Sequence, residues 1–152
     1  MESSNRSYLL KKMAVVQKVA TPLKKTKNSA FYSEKSTVDF IGCLNGRGLA
    51  FDAKETKRPS LPLANVHEHQ TRYLMRYRDC GGHAFLLVRF IKQNETFILP
   101  IKEFKKFVDA VPNGGRKSIP YGWFVENCVT VWSRNGIVLD YLLPIRTGKV
   151  TA

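Results

Sequence analysis

Hydrophobic and polar positions along this chain follow two periods, and the places where the period changes mark its elements. Thr37-Val38-Asp39-Phe40 and Phe51-Asp52-Ala53-Lys54 alternate polar with apolar residues, as half-buried strands do, and Asn45-Gly46 lies midway between them. Asn-Gly between two such runs is a strong hairpin signal, because both central residues of a type I′ turn need positive φ. With that turn at the centre, facing residues have numbers summing to 91, so Asp39 faces Asp52 and Thr37 faces Lys54. Side chains two apart share a strand face, which predicts these four on one side and Val38, Phe40, Phe51 and Ala53 on the other.

The remaining pattern predicts an alternation of helices and strands. Residues 5–18 read as a short helix running into a strand at Ala14-Val15-Val16. A helix is expected from Asn65 as N-cap, with Glu68 completing a capping box and Gly81-Gly82 as the stop. Its inward stripe is Val66, Gln70, Tyr73, Leu74 and Tyr77, on which Gln70 is an anomaly that needs a polar partner. Ala84 to Phe90 is an almost unbroken apolar run, as in a central strand, and Thr96 to Leu99 returns after a polar turn. An amphipathic helix follows, with Ile101, Phe104, Phe107 and Val108 inward and Lys102, Lys105 and Lys106 outward. Pro112 to Pro120 reads as a loop carrying Arg116 and Lys117. Cys128 to Trp132, a turn at Ser133 to Gly136 and a last apolar run from Ile137 to Leu143 close the chain, and no internal repeat is present.

Charge changes this picture by naming a partner. The 152 residues suit one domain with a real core, and 25 Lys and Arg against 12 Asp and Glu leave a net charge of +13. Nucleic acid is the leading partner for such a surface, with an anionic membrane second. Eight of the cations but only two acids lie before residue 36, and Lys24, Lys25, Lys27 and Lys35 fall in the basic exposed segment 21–36. That segment reads either as an arm contacting phosphates or as a solvated loop. No apolar run approaches the roughly 18 residues needed to span a bilayer, so no membrane role is expected, and no secretory leader is seen. The 3 cysteines, Cys43, Cys80 and Cys128, are widely spaced and suggest neither a disulfide framework nor a zinc knuckle, which fits an intracellular protein.

Two aspartates facing each other across a sheet repel unless a cation sits between them. A divalent metal is the simplest such cation, and with Lys54 beside it the group has the chemistry of a phosphodiester-cutting site; the alternative is a plain surface charge cluster. His67 and His69, two apart on a helix, point in different directions and are expected at the helix surface or on a DNA backbone rather than on zinc. Arg116 and Lys117 read as phosphate contacts or a solvated loop. Trp123 and Trp132 read as core or subunit-interface residues rather than base-stacking platforms.

Asp39 followed by Asp52-Ala53-Lys54 matches the D-x(n)-(D/E)-x-K signature of the PD-(D/E)XK nucleases. The surrounding words are more specific. Ser36-Thr-Val-Asp-Phe40, Phe51-Asp-Ala-Lys-Glu-Thr-Lys57, the pattern from Pro62 to Gln70, Asn113-Gly-Gly-Arg-Lys-Ser-Ile119 and Leu139-Asp-Tyr141 together resemble the RecU family of Holliday-junction resolvases. The resemblance implies an α/β restriction-endonuclease-like fold, a mixed sheet flanked by helices, in a single nuclease domain over 1–152 with 21–36 as a reduced stalk. It further implies a homodimer in the bacterial cytoplasm that nicks four-way DNA symmetrically with Mg²⁺, or with Mn²⁺ in its place. By motif position Thr37, Asp39, Asp52 and Gln70 match the family's metal-site residues and Lys54 its transition-state stabiliser. Asp52 stands where these resolvases usually carry Glu, and Glu2 is the only acid on the first helix. The compact length fits a phage-encoded member. Other nucleases of the superfamily, acting on linear or branched DNA, and a non-catalytic basic DNA-binding module remain alternatives.

Overall fold

A computed structural model describes residues 1–20 and 37–150. The basic segment 21–36 therefore lies outside the described residues, as do Lys24, Lys25, Lys27 and Lys35 within it.

The predicted hairpin is present in the predicted register. Strands β2 (Phe40–Leu44) and β3 (Arg47–Thr56) pair antiparallel with Phe40 opposite Phe51 and Leu44 opposite Arg47. Asn45 and Gly46 both take positive φ, 50° and 77°, as the tight turn requires. The first strand is shorter than the alternation predicts, beginning at Phe40 rather than Thr37. Val38 accordingly does not share the face of Phe40: it is buried in the opposite core cluster, with Ala50 and Leu86. Before the ladder begins, strand parity no longer dictates where a side chain points.

Strand β1 (Ala14–Lys18), preceded by helix α1 (Glu2–Leu10), adds antiparallel to β2 at one sheet edge. Beyond β3 the chain makes strand β4 (Ser60–Pro62), a 3₁₀ turn at Leu63–Asn65 and helix α2 (Glu68–Asp79). It then enters β5 (His83–Phe90), which pairs parallel to β3. Strand β6 (Glu95–Pro100), helix α3 (Ile101–Ala110), β7 (Ser118–Pro120), α4 (Tyr121–Asn127), β8 (Val129–Val131) and α5 (Leu143–Arg146) follow. The large sheet runs β1-β2-β3-β5-β6-β8, while β4 and β7 form a separate two-stranded ribbon. This is the mixed sheet flanked by helices that the resemblance implies.

Alternation along the strands divides two cores. Phe51 of β3, Phe85 and Leu87 of β5 and Ile98 of β6 face α1 and the C-terminal segment. Ala50, Leu86, Val88, Phe97 and Leu99 face the other way, with Leu74 of α2 and Phe104 of α3. On the first face Phe40, Phe51 and Phe85, register partners on three adjacent strands, stack at centroid distances of 4.8 and 5.0 Å with interplanar angles of 14° and 7°. Cross-strand aromatic pairs of this kind hold register.

Three readings are corrected. Helix α2 begins later than Asn65: Leu63–Asn65 is a 3₁₀ turn and the N-cap is His67, because Gln70 rather than Glu68 supplies the capping side chain. The helix ends as predicted, with Gly81 at φ 90° and the Gly82 N–H donating to Tyr77 O at 3.1 Å. The loop 112–120 is partly ordered as β7, whose Ile119 pairs with Leu61 of β4. The final run from Ile137 is no strand beyond a bridge between Arg134 and Ile137; Tyr141 and Leu142 instead plug the core beneath α1.

That plug is polar as well as apolar. Tyr8 and Tyr141, both fully buried, meet edge to face at 5.2 Å. The Tyr8 hydroxyl donates to Asp140 Oδ1 at 2.9 Å and accepts from the Leu142 N–H at 3.2 Å, while the Tyr141 hydroxyl donates to Asn5 Oδ1 at 2.6 Å. Burial pushes both phenols far above the ordinary tyrosine range, so both remain donors. Tyr8→Phe leaves a buried carboxylate oxygen and a backbone N–H unpaired, and is expected to cost on the order of 2–3 kcal/mol in urea unfolding. A loss under about 0.5 kcal/mol would show that this clasp does not hold α1.

Candidate active site

The period of β3 places Asp52 and Lys54 on the α2 face of the sheet, directly behind the phenylalanine stack. Asp52 has no solvent exposure. An ionised carboxylate in such a place must be compensated, since desolvation costs on the order of several kcal/mol. The compensation is local. Asp52 Oδ1 accepts from the Asp39 N–H at 2.9 Å, and Asp39 Oδ2 accepts from the Ala53 N–H at 2.9 Å. Each aspartate thus takes a backbone proton from the other's neighbourhood, which lets two like charges sit across from one another. The Val19 N–H donates to Asp39 O at 2.8 Å and fixes Asp39 from the β1 side.

Lys54 supplies the positive charge. Its Nζ lies 2.5 Å from Asp52 Oδ2, at an angle that makes no directed hydrogen bond, and 3.2 Å from Gln70 Oε1. Gln70 Oε1 also accepts from the His67 N–H at 3.0 Å, so one side chain caps α2 and holds the lysine. This answers the anomaly of a glutamine on the buried stripe: its polar partners are an ammonium and the first turn of its own helix. Burial pushes the Asp52 carboxyl above the usual carboxylate range; Lys54 pulls it back down and Asp39 pushes it up again.

The structure therefore gathers Asp39, Asp52, Lys54 and Gln70. It does not gather Thr37, which is exposed ahead of β2 and makes no hydrogen bond to the other four among the described residues. Glu2 is exposed and 3.5 Å from Lys18. The expectation that His67 and His69 point apart is overturned: their rings stack at 5.6 Å and 10°, because His67 is an extended N-cap residue and the angular rule of a helix does not reach it. Arg116 and Lys117 lie at the start of the β7 ribbon, and the Leu63 N–H donates to Lys117 O at 3.0 Å, placing the pair beside the entry to α2. Trp123 is half-buried against Phe107 and Phe124, whereas Trp132 is 61% exposed and not a core residue. Sequence reasoning missed the backbone donors Asp39 N–H, Ala53 N–H and His67 N–H, for which no side-chain signal exists.

Chemically, the group offers hard oxygens from two carboxylates and an amide beside a cation. One of those oxygens, Asp52 Oδ2, is buried and meets the Lys54 ammonium without a directed hydrogen bond. Such an oxygen beside a second carboxylate fits a hard divalent cation. Among the described residues no cluster of three or more His, Cys, Asp or Glu adds to this donor set.

The raised Asp52 pKa makes a signed prediction. A carboxyl whose folded value lies above its unfolded value loses stability as pH rises through that window. In EDTA, Asp52→Asn is therefore expected to melt above the parent, by a margin that grows as pH rises from the ordinary carboxylate range and then levels. A margin that shrinks with pH would contradict the burial of this charge. Added Mg²⁺ is expected to raise the melting temperature of the parent and leave that of Asp52→Asn unmoved.

Comparison with known proteins accords with this geometry. The family model "Recombination protein U" matches residues 1–147. A Holliday junction resolvase RecU of Pediococcus pentosaceus is 38% identical over 93% of this chain and 77% of its own length. One from Oceanobacillus iheyensis is 35% identical over 80% of this chain and 68% of its own length. A solved structure of the Archaeoglobus fulgidus resolvase Hjc superposes with a TM-score of 0.41 at 18% identity, covering 63% of this chain and 70% of that one, too distant to add to the argument. With Asp39, Asp52 and Lys54 of the predicted hairpin gathered against Gln70 of α2 and a family match spanning nearly its whole length, the chain belongs to the RecU family.

Proposed function

We propose that this protein is a structure-selective endodeoxyribonuclease that resolves four-way DNA junctions by divalent-metal-dependent hydrolysis of phosphodiesters. The observation that carries the reading is the buried Asp52 carboxylate, whose Oδ2 has a counter-charge in Lys54 but no directed hydrogen bond, set beside Asp39 in a chain of the RecU family. Asp39, Asp52 and the Gln70 amide would hold the cation, Mg²⁺ or Mn²⁺, with Thr37 contributing on the strength of the family motif alone. When bound, a divalent cation neutralises charge at the scissile phosphate and makes water a better nucleophile.

The rest falls to the chain's own groups. Lys54 Nζ, held between Asp52 and Gln70, sets a cation where negative charge would develop on the phosphoryl oxygens. Gln70 aims that ammonium, and the capped first turn of α2 holds Gln70 in place. Arg116 and Lys117, together with Lys24, Lys25, Lys27 and Lys35 of the segment 21–36, would bind backbone phosphates. Two strands of a junction must be cut at equivalent positions, and a C₂ homodimer supplies two matched sites. Such a protein works in the cytoplasm, acting as a single nuclease domain with 21–36 as its basic segment. Among the described residues no helix is long and apolar enough to cross a membrane.

The test is cleavage of four-way, Y-shaped and linear duplex DNA with Mg²⁺ and with EDTA. Preferential symmetric nicking of the four-way substrate is expected; equal cutting of all three would make it a general nuclease. Asp39→Asn and Lys54→Ala are each expected to lower the cleavage rate at least about a hundredfold, the scale of losing one electrostatic stabiliser, while junction binding in EDTA persists. Unchanged activity in Asp39→Asn would instead mark a non-catalytic binding module.

A further inference from the structure

The sheet face opposite the active site leaves one aromatic residue unexplained. Trp132 follows directly on the edge strand β8 and is 61% exposed, with Val138, 64% exposed, close by. It borders two clefts. One, of about 450 Å³, is floored by Leu87 and Val131 and edged by Asn94, Thr96 and Arg89, whose guanidinium is shared with Glu55 at 3.5 Å and Asn94 at 3.1 Å. The other, of about 420 Å³, carries Arg134 and Lys149.

The backbone beneath the indole is held. Trp132 O accepts the Asp140 N–H at 3.0 Å, and two residues on, Arg134 and Ile137 exchange hydrogen bonds of 3.0 and 2.8 Å across a tight Asn135-Gly136 turn. An aromatic surface presented on a fixed backbone loses little freedom when something lies against it.

Charge selects the occupant. From residue 127 to 150 the chain has Arg134, Arg146 and Lys149, all exposed, against a single acid, Asp140, which is buried on Tyr8. A second copy meeting this patch across a two-fold axis would set these cations against themselves in a protein already carrying +13. A polyanion bearing planar bases satisfies both features, because bases stack on indole while Arg and Lys take the phosphates.

We propose that Trp132 is a stacking platform for an unpaired base of the DNA substrate, in the cleft it walls with Arg89 and Asn94, while Arg134 and Lys149 take the neighbouring phosphates. The proposal rests on the DNA reading above and adds a contact outside the group that cuts.

Binding in EDTA tests it, with labelled oligothymidylate, a four-way junction and thymidine monophosphate as probes. Trp132→Ala is expected to bind the oligonucleotide about tenfold more weakly and Trp132→Phe less so, in line with one lost stacked base. In a Trp123→Phe background, where Trp132 is the only indole, the oligonucleotide is expected to quench its emission. Parental affinity in Trp132→Ala overturns the platform while leaving the nuclease reading intact. So does a change in sedimentation mass of Trp132→Ala, which would mark a copy interface, or quenching by the mononucleotide at the same concentration as the oligonucleotide, which would mark a nucleotide pocket. A parent protein that binds no DNA at all overturns both readings.

Discussion

A carboxylate with no access to water is the constraint around which this molecule is arranged. Asp52 cannot be ionised in the sheet unless donors and a counter-charge are brought to it, and none comes from solvent. The chain brings them from three elements: the Asp39 N–H from the entry to β2, the Lys54 ammonium from β3 itself, and Gln70 from the first turn of α2 to hold that ammonium. Asp52 Oδ2 has its counter-charge in Lys54 but no directed hydrogen bond, which suits it to a hard cation as well.

Holding these groups together depends on packing that never touches them. The Phe40–Phe51–Phe85 stack locks β2, β3 and β5 in register on the opposite face. A slip of one residue would carry Asp52 and Lys54 to the far side of the sheet and bury a phenylalanine in the site. The parallel pairing of β3 with β5 requires a crossover, and α2 is that crossover, which is how Gln70 arrives over β3. Behind the sheet, α1 is clasped by Tyr141 and Asp140, so the first and last parts of the chain close a single core around the phenylalanines.

The two faces of the sheet thus have different work. The α2 face is polar at one point and carries the reacting groups. The α1 face is apolar at the phenylalanine stack and polar only where Tyr8, Asp140, Tyr141 and Asn5 clasp, and the exposed indole and cations lie past its edge strand β8. Lys54 and Glu55 are adjacent on β3 yet point to opposite sides, the first to Gln70 and the second to Arg89 near the indole cleft. One strand therefore connects both surfaces on which DNA is placed here.

Sequence by itself determined what short-range physics controls. Asn45-Gly46 specifies the turn, the turn specifies the register, and the register sets Asp39 against Asp52. The apolar run of β5 and the glycine stop of α2 were legible for the same reason, as was Gln70 as an anomaly. The start of α2 was not, because Gln70 competes with Glu68 for the capping role and only tertiary contact with Lys54 favours one of them. Nor was the side taken by Val38, which follows the core rather than strand parity once the ladder ends. Ile137 to Leu143 carries the hydrophobicity of a strand, but the edge of β8 does not take it up; Tyr8 and Asn5, more than 130 residues away, draw Tyr141 and Asp140 into the core instead. For Trp132 the pattern leaves core and subunit interface equally open, and only the folded surface shows it outside the core among cations. Local backbone geometry is written in neighbouring residues; which of two equally suited partners a side chain meets is decided by the rest of the fold.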